Sequence, residues 1–104
     1  MGAKAVHIEI NNDVGKGVTL TIHCRFNAAD LGAYTLPYPK AVAFDIDEKA
    51  LGAKLSGSFQ WPGASHSYIF YIAGMDNCSP CNWMATKSGP CADLDDNEEC
   101  HNWN

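Results

Sequence analysis

The chain has 104 residues, of which 46% are hydrophobic and only 18% charged, and its formal net charge is −5. This composition indicates one folded domain with a modest core and excludes a disordered segment. The acidic balance argues against a nucleic-acid binder and against attraction to anionic membranes, because both need a basic patch. No apolar run approaches the ~20 residues of a membrane span, so membrane insertion is not expected.

Alternation of apolar and polar residues predicts strands throughout the first half of the chain. The first strand is predicted at residues 6–10 and ends in the turn-forming residues that follow. The clearest alternation runs over residues 18–26, which predicts a half-buried antiparallel strand with Cys24 on its apolar face. A weaker strand is predicted at residues 31–36, and alternation predicts another at residues 41–46.

The second half predicts further strands at residues 54–61, 65–73 and 82–86, while the polar residues 94–99 predict no strand. Since no window shows helical periodicity, we predict an all-β fold. It is an antiparallel β-sandwich of about seven or eight short strands. Residues 6–104 are expected to form the domain, and residues 1–5 a disordered or cloning-derived N-terminus.

Five cysteines are present, an odd number, and four of them lie in the last third of the chain: Cys24, Cys78, Cys81, Cys91 and Cys100. This spacing is typical of a secreted domain stabilised by disulfides, with one cysteine left unpaired. We therefore expect an extracellular protein whose signal peptide is absent from this chain. The unpaired cysteine leaves open a covalent dimer, and otherwise a monomer is expected.

Six segments resemble, in order, the motifs of the plant self-incompatibility protein family, also called S-protein homologues. They are VHIEINNDVGKGVTLTIHC, DLG at 30–32, SFQW at 58–61, SHSYIFYIA at 65–73, the segment with Cys78, Cys81, Trp83 and GPC at 89–91, and the terminal CHNWN. Each segment alone is weakly specific, but their order and spacing over nearly the whole chain are strongly so. The resemblance implies a small secreted β-sandwich protein.

The resemblance also implies a function. The best-understood members of that family are stigma ligands that bind a receptor on incompatible pollen and trigger calcium signalling. We therefore expect a non-enzymatic signalling or recognition ligand that acts through surface loops on a protein receptor, with no cofactor, metal or catalytic residues. The alternative is a secreted defence or effector protein, toxic or inhibitory, on the same scaffold.

One position departs from the family pattern. Members usually carry a cysteine where this chain has Gly57, which explains the odd count and puts the family's usual pairing in doubt. Because Cys24 faces the core, we expect its partner to come from the C-terminal segment. Cys24–Cys100 is favoured and Cys24–Cys91 is the rival.

Two other cysteine chemistries are less favoured. The pair Cys78 and Cys81 has the spacing of a redox motif, but no helix is predicted to follow it and lower the thiol pKa. Those two cysteines, with Cys91, Cys100 and a histidine, have a spacing that structural zinc tolerates, as in a zinc-bound interaction module. Zinc needs reduced thiolates, whereas the resemblance implies an oxidising compartment.

The candidate binding residues lie in three predicted loops, at residues 62–67, 74–80 and 93–99, because exposed loops on rigid β scaffolds commonly carry binding. The acidic third loop lacks the ligand order of an EF-hand, so a solvated or partner-binding loop is preferred to a calcium site. The candidate residues are Pro62, Gly63, Ser65, His66, Asp76, Asn77, Asp93, Asp95, Asp96 and Glu98.

Overall fold

The computed structural model describes residues 5–47, 52–72, 81–94 and 97–103, which form nine strands in two sheets. The strands are β1 (Ala5–Asn12), β2 (Leu20–Phe26), β3 (Ala29–Leu36), β4 (Ala41–Asp47), β5 (Lys54–Trp61), β6 (Ala64–Ile72), β7 (Cys81–Ala85), β8 (Pro90–Leu94) and β9 (Asn97–Cys100). Over these ranges, no helix has the length and apolar character needed to cross a membrane.

One sheet has five strands in the order β4-β1-β7-β8-β9, and the other has four in the order β3-β2-β5-β6. The inward residues of both sheets join one buried core, which includes Ile8 and Ile10 from the first sheet and Ile22, Leu55 and Phe59 from the second. The predicted all-β fold is confirmed. The strand number is higher than predicted because residues 90–94 and 97–100 form two paired strands, β8 and β9, where no strand was predicted.

The pairing of β1 with β7 is parallel, with Ile8 opposite Cys81 and Asn12 opposite Ala85. A fully antiparallel sandwich was therefore the wrong expectation for this pair. Alternation places the same side chains inside whichever way a strand runs, so the pattern carries no information on strand direction.

Asn12 is a polar side chain buried at the end of β1, with 1% of its surface exposed. Its Nδ2 donates hydrogen bonds of 2.8 Å to the carbonyl oxygens of Val18 and Leu36, and its Oδ1 accepts one from the Val14 amide. Burying a side-chain amide costs little folding free energy when its donors and acceptor are hydrogen-bonded, whereas burying an unpaired amide is strongly destabilising. Asn12 therefore ties the β1–β2 connection to the end of β3.

The register between β5 and β6 shifts at one point, where Leu55 lies opposite Tyr71 but Ser56 lies opposite Ile69. Phe70 is the extra residue of this bulge, and Phe70 and Tyr71 are both buried. Such an insertion interrupts the alternation of the strand and redirects its side chains. It brings the Phe70 ring over the backbone of Gly57.

Candidate interaction surfaces

The turn between β5 and β6 carries the first group of predicted binding residues. Pro62 and Gly63 are exposed at its tip, where Gly63 has a φ of 87°, a left-handed conformation that glycine adopts without strain. Ser65 is exposed on β6. His66 instead turns inward, and its ring stacks on Trp103 with centroids 5.0 Å apart and planes 12° apart.

The C-terminal segment, residues 101–103, is held by two hydrogen bonds. The His101 amide donates to the Pro90 carbonyl at 2.9 Å, and the Trp103 indole Nε1 donates to the Thr86 carbonyl at 2.8 Å. Gly89 lies beneath this segment, and a Cβ there would overlap the carbonyl oxygen of His101. The segment therefore packs on the β7–β8 turn at a distance that only glycine permits, and it reaches the β5–β6 hairpin through Trp103.

The hairpin formed by β8 and β9 carries the last group of predicted binding residues, and we call it the acidic hairpin. Asp93 and Glu98 were predicted to lie in a loop, which is wrong, because they are strand residues directly opposite each other. Both are exposed, as is Glu99. Like charges at directly opposite positions destabilise a strand pair, so this hairpin holds its charges at a cost to its own stability.

Four of the predicted binding residues lie outside the described residues: Asp76, Asn77, Asp95 and Asp96. The predicted loop at residues 74–80, including Cys78, lies there as well. Of the ten candidates, the described structure places six, on the β5–β6 hairpin and on the acidic hairpin.

Residues 7–103 match the sequence model of the family of plant self-incompatibility protein S1. The chain belongs to this family. It is 36% identical to S-protein homolog 2 of Arabidopsis thaliana over 93% of its own length and 67% of that protein. It is 34% identical to S-protein homolog 20 of the same plant, over 95% and 76% of the two lengths.

The fold is also that of a solved S-protein homologue, with a TM-score of 0.73 and 16% sequence identity over 99% of this chain and 97% of the other. That structure is described as belonging to "a widespread family of small, highly stable, secreted proteins from plants". The predicted family and fold are therefore confirmed.

The cysteine pairing in this family member differs from the prediction. Cys91 is bonded to Cys100, its direct neighbour across the acidic hairpin, so Cys24–Cys100 and Cys24–Cys91 are both wrong. Cys81 is also disulfide-bonded. Because the bond between Cys91 and Cys100 uses two of the thiolates that the zinc hypothesis requires, that hypothesis is wrong too.

Cys24 is the free cysteine, and none of its surface is exposed. Burial raises the pKa of its thiol to about 12, so it stays protonated and unreactive at neutral pH. Its sulfur is not accessible to a second chain in this fold. Its position on the apolar face of β2 agrees with the prediction.

Gly57 lies directly opposite Cys24 on the neighbouring strand β5. A cysteine at position 57, which the resemblance led us to expect, would thus face Cys24 across one strand pair. In this chain the space is taken by an aromatic ring, since a Cβ on Gly57 would meet Phe70 Cζ at 3.0 Å. The space beside Gly57 is therefore filled by aromatic packing.

Two histidines on the outer faces of the sheets pair with carboxylates, as expected for residues that face away from the core. His7 Nδ1 lies 2.9 Å from Asp45 Oδ1, and His23 Nε2 lies 2.7 Å from Asp30 Oδ1. The Gly32 amide and His23 both donate to Asp30 and lower the pKa of its carboxyl. No serine or threonine hydroxyl of the described residues is hydrogen-bonded to a histidine, so they hold no assembled pair of nucleophile and base.

Proposed function

We propose that this family member is a secreted, non-enzymatic recognition protein that binds a protein receptor through the β5–β6 turn and the acidic hairpin. One observation carries the proposal: the C-terminal segment joins these two surfaces. It continues directly from β9, and it packs against β6 where Trp103 stacks on His66. Exposed residues held by a rigid framework lose little conformational entropy on binding, which favours affinity.

The tip of the β5–β6 turn is polar and exposed, while the residues just behind it are packed. Trp61 lies beside the stacked pair, with its ring centroid 5.4 Å from His66 and 6.0 Å from Trp103. This aromatic packing fixes the direction in which Pro62 and Gly63 are presented. A receptor would therefore meet a turn of defined shape rather than a flexible loop.

The acidic hairpin sets the chemistry of the expected partner. Asp93, Glu98 and Glu99 are exposed, and among the described residues their one ion-pair partner is His101, whose Nε2 lies 3.5 Å from Glu99 Oε1. A surface of one charge sign speeds the association of a partner with the opposite sign. We expect the receptor surface to be basic at this contact.

Secretion is supported by the disulfides, which persist in oxidising compartments, and by the description of the solved relative as a secreted plant protein. A non-enzymatic role is supported by the high pKa of the only free thiol among the described cysteines. The fit to a self-incompatibility family supports recognition of a protein on another cell.

The test is binding of fluorescently labelled full-length protein to intact plant cells, with and without prior protease treatment of the cells. We expect saturable binding that unlabelled protein displaces and that protease abolishes. The double variant Asp93→Asn with Glu98→Gln should bind about tenfold more weakly, because two of the exposed charges are lost. Its melting temperature should not fall, since a like-charge pair is removed.

The matched control is Glu9→Gln with Asp13→Asn, which removes the same charge from the β1 region and should leave binding unchanged. Equal loss in both double variants would mean that only net charge matters, and the proposed site would be wrong. Inhibition of cell growth without saturable, protease-sensitive binding would instead favour the secreted toxic or inhibitory protein.

A further inference from the structure

The outer face of the four-stranded sheet contains a groove of about 650 Å³ over β2, β5 and β6. The proposed receptor surfaces do not line it. Six outward side chains matter for its chemistry: His23, Arg25, Ser56, Ser58, Ser67 and Ile69. A concave polar face with few convergent groups of this kind is a candidate ligand site.

The strand register arranges these side chains in two rows across the three strands. Arg25 lies opposite Ser56, which in turn lies opposite Ile69. In the next row, His23, Ser58 and Ser67 are opposite one another in the same way. Neighbouring strands are ~4.8 Å apart, so each row spans ~10 Å. The groove thus presents a cation at one side, hydroxyls along its floor and an apolar side chain at the far edge.

The charge of the groove contrasts with that of the chain. The net charge of the protein is −5, yet no carboxylate among the described residues lines the groove. Asp30 lies opposite Arg25 across β2 and β3, but its carboxylate already accepts hydrogen bonds from His23 and the Gly32 amide. Arg25 attracts the Asp30 carboxylate weakly through its charge but forms no ion pair with a described residue, so the hydrogen-bond donors of its guanidinium can bind an anion.

The hydrogen bonding of the backbone beneath the groove bears on the kind of anion that can bind there. β2 and β5 are inner strands, each paired on both sides, so their amides and carbonyls are used within the sheet. A peptide lying over β2 and β5 would find no free backbone groups there with which to pair. A ligand rich in hydroxyls would instead match the serine hydroxyls, which both donate and accept.

Ile69 adds an apolar contact to the groove, because 46% of its surface is exposed at the edge. Sugar rings have an apolar face of C–H groups as well as polar edges, and an exposed aliphatic side chain can cover that face. We propose that this groove binds a carboxylate-bearing saccharide, with its carboxylate on Arg25, its hydroxyls on the serines and one ring face against Ile69.

The experiment is titration calorimetry of the full chain with trigalacturonic acid, maltotriose and a hexaglutamate peptide. We expect the acidic trisaccharide to bind at least tenfold more tightly than either of the other two. Arg25→Gln should weaken that binding at least tenfold, since a charge-assisted hydrogen bond is lost. Lys16→Gln, which removes the same charge from an exposed turn, should leave it unchanged.

Each alternative result overturns the proposal. Equal binding of the acidic trisaccharide and maltotriose would mean that Arg25 does not recognise the carboxylate. Equal binding of the peptide would assign the groove to carboxylates in general, and binding of none of the three would mean that the groove is not a saccharide site. Arg25 is exposed, so a folding defect is not expected in its variant. The receptor assay uses different residues, so either proposal can fail alone.

Discussion

Two pairs of directly opposed residues in antiparallel strands have the same relative position but differ in whether a disulfide joins them. Cys91 and Cys100 face each other across β8 and β9, just as Cys24 and Gly57 face each other across β2 and β5. The first pair is joined by a disulfide, and the second has a free thiol opposite a glycine. The difference teaches that a disulfide joins the strand pair that ends at the charged outer strand β9, while aromatic packing fills the space beside the glycine in the core.

The physical reason is the amount of burial at each place. The Cys24–Gly57 position lies among side chains that water does not reach, including Phe59 at 1% and Phe70 at 3% exposure. Burying such aromatic side chains stabilises the fold by several kcal/mol. The acidic hairpin carries like charges at opposed positions, which weaken its strand pairing, so we expect it to depend on its disulfide.

Removing the ring over Gly57 should have the largest effect. Phe70→Ala leaves a cavity next to Gly57, and we expect the free energy of unfolding to fall by about 3–5 kcal/mol. Urea denaturation with an unchanged m-value measures this loss. Iodoacetamide should also label Cys24 faster than in the parent protein. A loss below about 1 kcal/mol would contradict the role given to packing at this position.

Removing the disulfide of the acidic hairpin should have the next effect. It closes a short loop, with a sequence separation of 9 residues, so Cys91→Ala with Cys100→Ala should cost about 2–3 kcal/mol. The loss of stability should be smaller when Asp93→Asn is added, because the opposed charges then no longer repel each other across the strand pair. If this variant lost more stability than Phe70→Ala, the comparison of the two places would be reversed.

Adding a methyl group at Gly57 should have a smaller effect. The new Cβ meets Phe70 Cζ at 3.0 Å, so Gly57→Ala should cost about 1–2 kcal/mol through overpacking. In a Phe70→Leu background the same substitution should cost less, since the smaller side chain leaves room. A double-mutant cycle by urea denaturation measures this coupling, and a coupling of zero would mean that the two residues do not compete for space.

The smallest effect is expected on the outer face, from Asp30→Asn. The folded-state pKa of Asp30 lies below its unfolded value, so its ionised form adds stability above the unfolded pKa of about 3.9. That contribution is lost as the pH falls through the folded-state pKa. The parent protein should therefore be slightly more stable than the variant at pH 6, and the difference should vanish at low pH. Thermal melts over that range test it, and a difference independent of pH would contradict it.

The strands with strong alternation could be predicted from the sequence, because alternation reflects burial of one face. β5 was predicted with the bounds that it has, and Cys24 lies on the predicted face. The acidic hairpin was missed because its outward residues are charged and resemble a loop. Its strand pairing could nevertheless have been inferred from the spacing of residues in the sequence. Cys91 and Cys100 lie equally far from the midpoint between residues 95 and 96, and so do Asp93 and Glu98.

The candidate surfaces were harder to predict than the strands. The sequence places His66 next to an exposed turn, but nothing local shows that it packs on Trp103, a residue far along the chain. The groove combines β2 with β5 and β6, and its two rows depend on the register between strands, which alternation leaves undetermined. Contacts between distant segments follow from the topology, which single-segment patterns do not contain.

The parallel pairing of β1 and β7 has a consequence for how the protein is made. β1 is the first strand to be synthesised and lies inside the five-stranded sheet, but its partner β7 begins only at Cys81. A growing chain can pair β1 with β4, yet the other edge of β1 stays open until the last quarter of the protein has emerged. Open strand edges promote aggregation during biosynthesis. The first sheet therefore cannot form strand by strand in the order of synthesis, and it closes only after β7 has been made.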